Sequence, residues 1–129
     1  MGSFSYEPLG DVRNIRVVYI EPALAASDPI SCSLEIVHLD AKPPPCYEAL
    51  SYVWGSPRGT IPISCDGKSL LVTPNLLEAL RRIRHFRYTR LLWVDAICIN
   101  QDDPMERSVQ VQAMRDIYAK AANVIIWLG

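Results

Sequence analysis

The sequence lacks the features that mark several common classes of protein. It carries 13 basic and 14 acidic residues, so its formal net charge is only -1, and no overall field favours nucleic acid or an anionic membrane. No apolar run approaches the roughly 20 residues of a membrane-spanning helix. The opening residues MGSFSY contain no charged stretch before an apolar one, so we expect no signal peptide. These absences predict a cytoplasmic protein that binds neither nucleic acid nor membrane.

Cysteine and histidine are few and poorly spaced for binding a metal. Cys32, Cys46, Cys65 and Cys98 form no CxxC pair, and the chain has only 2 histidines. Structural zinc sites draw their ligands from closely spaced cysteines and histidines, so we expect no metal site. Thiols stay reduced in proteins that are not secreted. Cys98 lies in an apolar stretch without a nearby base, so packing as a small hydrophobe suits it better than nucleophilic catalysis.

The first third of the chain predicts β-structure. NIRVVYI (14–20) and CSLEIVHL (32–39) are rich in β-branched residues and predict two strands. Three prolines in 42–46 then interrupt the chain, because proline cannot donate to a strand ladder. Half of the residues are hydrophobic, which at this length suits the core of one domain. We therefore predict a single domain 1–129, with an N-terminal β-subregion at 1–45 and a larger α/β body at 46–129.

The body alternates strands and helices. Asp66-Gly67 between two apolar runs predicts a hairpin turn, since both residues tolerate positive φ. Thr73-Pro74 and Asp103-Pro104 each place an N-cap residue before a proline, and so predict two helix starts. The predicted strands are 47–53, 90–99 and 123–129. This alternation indicates an α/β fold with a mostly parallel central sheet and flanking helices. Such a domain rarely ends on an apolar strand, so we expect the chain to lack C-terminal elements.

Arginines crowd the far end of the first predicted helix. Two explanations are open for this cluster, which comprises Arg81, Arg82, Arg84, Arg87 and Arg90. The cations can stabilise the negative end of the helix dipole on a solvated surface. They can instead form a patch that binds an anion.

Polar residues gather where two predicted strands end. Tyr52, Trp54 and Gly55 lie at the end of the strand 47–53, and Asn100 and Gln101 follow the strand 90–99. The carboxyl ends of parallel strands form the ligand crevice of α/β sheets, so these residues are candidates for binding. An Asn-Gln pair offers donors and acceptors that suit an amide or a ribose. It can also simply turn the chain at the strand exit.

Two acidic residues complete the candidate set, and each has two explanations. Asp95 lies about halfway along the strand predicted for 90–99, where a carboxylate needs a partner. It either forms the wall of a nucleotide-like pocket or is paired within the core. Glu106 stands three residues after Asp103, which is the spacing of a capping box. It either caps the helix or contacts a ligand.

Three blocks of the sequence resemble the fungal heterokaryon incompatibility (HET) domain. They are YEALSYVWG (47–55), VTPNLLEALRRIR (72–84) and LWVDAICINQDDPMERSVQVQAMRDIYAKAANVIIWLG (92–129), preceded by IRVVYIEP (15–22). The resemblance implies a module for self and non-self recognition in filamentous fungi, which triggers programmed cell death when incompatible strains fuse. It also implies a protein partner or self-association.

The same blocks resemble, more faintly, Toll/interleukin-1 receptor (TIR) domains. YEALSYVWG is similar to their first strand, LWVDAICINQ to the second and NVIIWLG to the third. That resemblance implies a TIR-like sheet and, as an alternative function, an NAD-cleaving nucleotide glycohydrolase with Asp95, Asn100, Gln101 and Glu106 lining its site. TIR domains that cleave NAD use a glutamate after the third strand, and no residue here matches it. We expect no cofactor beyond NAD as a substrate, and an inactive truncated copy is a further alternative.

Overall fold

The computed structural model describes residues 2–52 and 58–128. In that part of the chain, seven strands and three helices follow one another. Their bounds are β1 Asn14–Ile20, β2 Ser31–His38, β3 Glu48–Tyr52, β4 Ile61–Cys65, β5 Lys68–Val72, α1 Pro74–Ile83, β6 Arg90–Trp93, α2 Asp95–Cys98, α3 Pro104–Lys120 and β7 Asn123–Trp127. The prediction of an α/β fold is therefore confirmed.

All seven strands form one mixed sheet in the order β5-β4-β2-β1-β6-β3-β7. The pairs β2–β4, β3–β6 and β3–β7 are parallel, whereas β1–β2, β1–β6 and β4–β5 are antiparallel and hold most of the paired residues. The prediction of a mostly parallel sheet was wrong. The reason is that β1 and β2, which belong to the segment 1–45, enter the same sheet, and β1 runs antiparallel to both of its neighbours, β2 and β6.

The parallel part of the sheet has a specific strand order. β3, β6 and β7 are parallel and follow one another in this order along the chain, with the hairpin β4–β5 between β3 and β6, yet β3 lies between the other two in the sheet. At such a point the order of the strands across the sheet reverses, and α/β proteins bind ligands in the crevice at the carboxyl ends there. The ends of β3 and β7, at Tyr52 and Trp127, are therefore at the position where α/β proteins bind ligands.

β1 occupies the middle of the sheet and is buried on both faces. Ile15, Val17, Val18 and Ile20 have no exposed surface, which explains why this strand is apolar at successive positions rather than at every second one. Burying each such side chain contributes about 1.5–3 kcal/mol. The centre of the hydrophobic core is consequently supplied by a segment that lies outside the α/β body predicted from the sequence.

The helix starts and the hairpin turn form as predicted. The Thr73 hydroxyl accepts the N–H of Leu76, and the Asp103 carboxylate accepts the N–H of Glu106, each at an N-cap followed by proline. Asp66 and Gly67 have φ values of 53° and 76°, so both take the left-handed conformation that a two-residue hairpin requires.

The two edges of the sheet differ. The outer edge of β5 is covered by the N-terminal segment, where Phe4 N–H donates to the Ser69 carbonyl and Ser69 N–H donates to the Gly2 carbonyl. Among the described residues, β7 pairs only with β3. Val124, Ile126 and Leu128, at alternating positions along β7 and just beyond it, are exposed by 48%, 68% and 88%.

Within the ranges described, no helix is both long and apolar enough to cross a bilayer.

Candidate functional site

Tyr52 and Asp95 lie where β3 and β6 end. Tyr52 is the last residue of β3, and Asp95 is the first residue of α2. The prediction that Asp95 lies halfway along a strand was wrong, because β6 ends at Trp93 and the chain turns into a short helix. The Val94 carbonyl accepts the N–H groups of Ile97 and Cys98, which fixes that turn. Asp95 is half-buried rather than enclosed.

The negative charge of the Asp95 carboxylate contributes to a raised pKa in two tyrosines. Burial raises the pKa of Tyr52, and the negative charge of Asp95 raises it further, while a hydrogen bond with Thr73 opposes the shift. Burial and Asp95 also raise the pKa of Tyr118, which is opposed by a hydrogen bond with Ser51. A tyrosine whose pKa is raised keeps its proton at neutral pH and remains a hydrogen-bond donor. The carboxyl ends of β3 and β6 therefore combine one carboxylate with two protonated phenols.

Asn100 and Gln101 form part of the wall of a neighbouring cleft of about 580 Å³, which we call the Asn100 cleft. Its wall comprises the N-terminal segment, β5, the start of α1 and the turn after α2, and its lining residues are Ser3, Phe4, Tyr6, Arg58, Gly59, Ser69, Leu70, Leu71, Val72, Thr73, Leu76, Ala96, Asn100, Gln101 and Asp102. Tyr52, Asp95 and Glu106 are not among them. The structure thus brings two of the predicted residues into this cleft and leaves three outside it.

The side chains of Asn100 and Gln101 shape the turn that carries them. Gln101 Nε2 donates to the carbonyl of Asp95 at 2.9 Å and to that of Ile99 at 3.3 Å. Asn100 Oδ1 accepts the N–H of Asp102 at 3.2 Å. These bonds support the interpretation of this pair as a turn, but the turn follows α2 rather than the end of a strand. Asn100 Nδ2 and Gln101 Oε1 make no hydrogen bond with the described residues, and so one donor and one acceptor remain for another molecule.

Glu106 is held in a buried ion pair with Arg16. The two guanidinium nitrogens donate to the two carboxylate oxygens, each at 2.8 Å, and the side chains of Arg16 and Glu106 are only 2% and 8% exposed. The capping box forms only in part, because Asp103 caps the Glu106 N–H but the Glu106 carboxylate does not return to the Asp103 N–H. A buried guanidinium costs several kcal/mol without a counterion, far more than an uncapped N–H at a helix start.

Arg16 contacts this candidate site, and the sequence analysis did not identify it. Besides Glu106, its guanidinium donates to the carbonyls of Cys98 at 3.1 Å and Glu7 at 2.6 Å, and it lies 4.8 Å from the centre of the Tyr6 ring. Glu106 in turn accepts the N–H of Asn100 at 2.6 Å. The pair therefore ties β1, the N-terminal segment and the turn of the Asn100 cleft together. The available signal was a single charged residue within the apolar run NIRVVYI.

The predictions from the sequence also concern Trp54, Gly55 and Cys98. Trp54 and Gly55 lie outside the described residues. Cys98 is fully buried, and burial raises its pKa to about 12, which agrees with a packing role because the thiol stays protonated. No group of three or more histidine, cysteine, aspartate or glutamate side chains could hold a metal ion within the described ranges.

Comparison with known proteins places the chain in a family. Residues 47–129 match the sequence profile of the family described as "Heterokaryon incompatibility protein (HET)". A protein from Neurospora crassa, "Heterokaryon incompatibility protein 6, OR allele", is 39% identical over 142 aligned positions, which cover 98% of this chain. The chain spans 21% of that relative's length. No solved structure matches. Because the profile covers well over half of the chain, the protein belongs to the heterokaryon incompatibility (HET) family.

Proposed function

We propose that this chain acts as a heterokaryon incompatibility module in the recognition of self and non-self between fungal individuals. One observation carries the proposal, namely the family match over 47–129 together with 39% identity across nearly the whole chain to a protein of that name. In the proposed role, the module associates with a protein partner or with a second copy in the cytoplasm. That association signals growth arrest and death of the fused cell.

The edge of the sheet at β7, which no other described strand covers, supports the association step. β7 offers a row of backbone N–H and C=O groups beside Val124, Ile126 and Leu128, whose side chains are exposed. An exposed apolar edge strand pairs readily with a strand from another chain, because main-chain hydrogen bonds and alternate side chains are both available. The opposite edge, at β5, is already covered by the N-terminal segment.

Forced heterokaryons test the proposed role. Pairs of auxotrophic Neurospora crassa strains with different alleles of the related gene would express the chain from an inducible promoter. Growth rate and uptake of a vital dye would be measured. We expect slower growth and more stained cells on induction in at least one pairing. Normal growth in every pairing, with the chain present at equal levels, contradicts the proposal.

A matched pair of variants tests the association step. Ile126→Asp places a charge on the exposed edge of β7. Met105→Asp places the same charge on another exposed apolar residue, 80% accessible against 68% for Ile126, at the start of α3. We expect Ile126→Asp to abolish both the growth defect and any concentration-dependent increase in mass by light scattering, whereas Met105→Asp retains both. Equal behaviour of the two variants refutes the use of this edge.

We propose nucleotide binding, with cleavage of NAD, as a second candidate function. The observation that favours it is the order β6-β3-β7, which is the second-first-third order of flavodoxin-like sheets. Part of the wall of the Asn100 cleft comes from residues 96–102, which follow β6 along the chain. A TIR-like layout of the strands belongs to the same proposal. Asn100 Nδ2 and Gln101 Oε1 would contact the ribose or the carboxamide. Glu106 would act only indirectly, because Arg16 occupies its carboxylate.

Binding and cleavage are measured separately. Calorimetry with NAD measures affinity, and chromatography measures nicotinamide release. Asn100→Asp replaces the Nδ2 donor by an oxygen and keeps the bond to Asp102 N–H, so we expect about tenfold weaker binding. The control Glu78→Gln changes an exposed carboxylate on α1 and should leave affinity unchanged. An absence of NAD binding at millimolar concentration rejects this candidate, and binding without nicotinamide release rejects cleavage alone.

A further inference from the structure

A groove of about 340 Å³ lies beside the C-terminal end of α1 and shares no lining residue with the Asn100 cleft. Its wall is formed by the loop after β1 and by residues 81–86 and 90, and it includes Leu24, Arg81, Arg82, Arg84, His85 and Arg90. Among the described residues that line it, none is acidic. We call this feature the basic groove. Its charge is local, because the whole chain has a net charge of -1.

Two of the arginines have a structural role that explains their presence. Arg84 donates to the carbonyls of Pro29, Ala25 and Ala26, and so fastens the loop after β1 to the end of the helix. Arg90 forms an ion pair with Glu48 at 2.6 Å and donates to the carbonyl of Ile83. These bonds build the walls of the groove. Only Arg90 has its charge neutralised by a carboxylate.

Three other arginines form no ion pair with any described residue, namely Arg81 and Arg82 in the groove and Arg87 next to it. The buried Nε of Arg81 has no hydrogen-bond acceptor among the described residues. Arg81 and Arg82 lie in the last turn of α1, where the helix dipole favours a cation by about 0.3–1 kcal/mol. Arg87 lies beyond the helix, with its guanidinium 5.4 Å from the centre of the Phe86 ring. The groove and its rim therefore carry positive charge that no carboxylate of the described residues neutralises.

The loop beyond α1 is held in place by His85. Its Nδ1 accepts the N–H groups of Arg87 at 2.9 Å and Tyr88 at 3.1 Å, so that nitrogen carries no proton. The imidazole ring stacks on Phe86, with 4.7 Å between ring centres. Phe86 and Tyr88 are nevertheless 55% and 64% exposed, and Leu24 across the groove is 89% exposed. Uncompensated cations and exposed apolar side chains thus lie side by side on an ordered surface.

We propose that the basic groove docks an acidic segment of a partner protein. Carboxylates of the segment would pair with Arg81 and Arg82 in the groove and with Arg87 next to it. Apolar residues of the segment would pack on Leu24 and Phe86. Arginine with aromatic side chains is the composition typical of protein–protein interfaces. A chain without overall positive charge lacks the wide basic field that nucleic acid or an anionic membrane attracts. α1 has 10 residues, so its C-terminal end, beside the groove, lies about 15 Å from its start.

Fluorescence anisotropy with a labelled peptide of alternating glutamate and leucine tests the proposal. The variant Arg82→Glu with Arg87→Glu reverses two exposed charges that make no ion pair. The matched control, Lys68→Glu with Arg115→Glu, makes the same change of net charge at two exposed positions elsewhere. We expect binding to the unmodified chain that weakens as salt rises, and a loss of about tenfold or more in the groove variant. The control should lose less than twofold.

Three results overturn the proposal. The first is an equal loss of affinity in the groove variant and the control, with both folded by circular dichroism. The second is equal binding of a peptide in which glutamine replaces glutamate. The third is binding to phosphatidylserine vesicles or to single-stranded RNA without binding to the acidic peptide. None of these measurements depends on the Asn100 cleft or on β7, so failure here leaves the proposed function in place.

Discussion

Removing Arg16 should destabilise the protein more than removing both Arg16 and Glu106. The guanidinium donates four hydrogen bonds, two of them to Glu106, at a position only 2% exposed. In Arg16→Met the Glu106 carboxylate stays buried and keeps only the N–H of Asn100. An unpaired buried charge of this kind costs about 3–5 kcal/mol. Since domains of this size are stable by about 5–15 kcal/mol, the single variant should lose a large part of that margin.

A double-mutant cycle in urea separates the ion pair from the packing. Arg16→Met, Glu106→Leu and the double variant are unfolded under the same conditions, and the free energy of unfolding is compared. Glu106→Leu leaves a buried guanidinium and should also be costly. The double variant should cost less than either single one, because apolar pairs often replace buried ion pairs without loss. If the two single losses simply add, the two charges are independent and the reasoning fails.

The same cycle has a readout at the Asn100 cleft. Asn100 N–H is held by Glu106, and Glu106 is oriented by Arg16. Hydrogen exchange at Asn100 should therefore accelerate in Arg16→Met more than at amides in β1, relative to the unmodified protein. Uniform acceleration across the chain would indicate global destabilisation rather than release of this turn.

Three further changes have directions fixed by the structure. Gly59→Ala should cost about 1–3 kcal/mol in urea unfolding, because a Cβ there collides with the Leu71 carbonyl, whereas Gly2→Ala meets nothing and should be neutral. Burial raises the pKa of Tyr47 to about 12. Its contribution to the free energy of unfolding is therefore complete below pH 10 and is lost towards pH 12. The loss of stability at alkaline pH should be smaller in Tyr47→Phe. The pKa of Asp40 is lowered by Arg13, which has the larger effect, and by Lys120. The free energy of unfolding should therefore fall as the pH drops below 4. Asp40→Asn should make that fall smaller.

Much of the local structure could be predicted because its causes are local. Thr73 and Asp103 cap their helices through hydrogen bonds to the residue three positions later, and Asp66-Gly67 forms a turn from its own φ preference. Each effect is complete within four residues, so the sequence displays it directly. The mistaken strand over 90–99 has the opposite origin. Its apolar residues suit a buried strand, but the stretch after Trp93 is buried as a short helix, and burial alone does not select between the two.

The sheet order and the role of Glu106 depend on contacts between distant segments. Nothing in NIRVVYI indicates that β1 pairs with β6, more than 70 positions later, or that it does so antiparallel. Glu106 has the right spacing for a capping box, and only the presence of Arg16 across the core redirects its carboxylate. A pattern within one segment cannot reveal which partner from another segment has the larger desolvation penalty.

The boundary of the family match is not a boundary of the structure. The matched region begins at residue 47, yet the strand at the centre of the sheet is β1, and Arg16 on that strand orients the turn that bears Asn100. Without β1, β6 would have a free edge and Glu106 would be buried without its counterion. The residues before 47 are therefore part of the same folding unit, and the shape of the Asn100 cleft depends on them, because Ser3, Phe4 and Tyr6 line it and Arg16 orients the turn of Asn100 through Glu106.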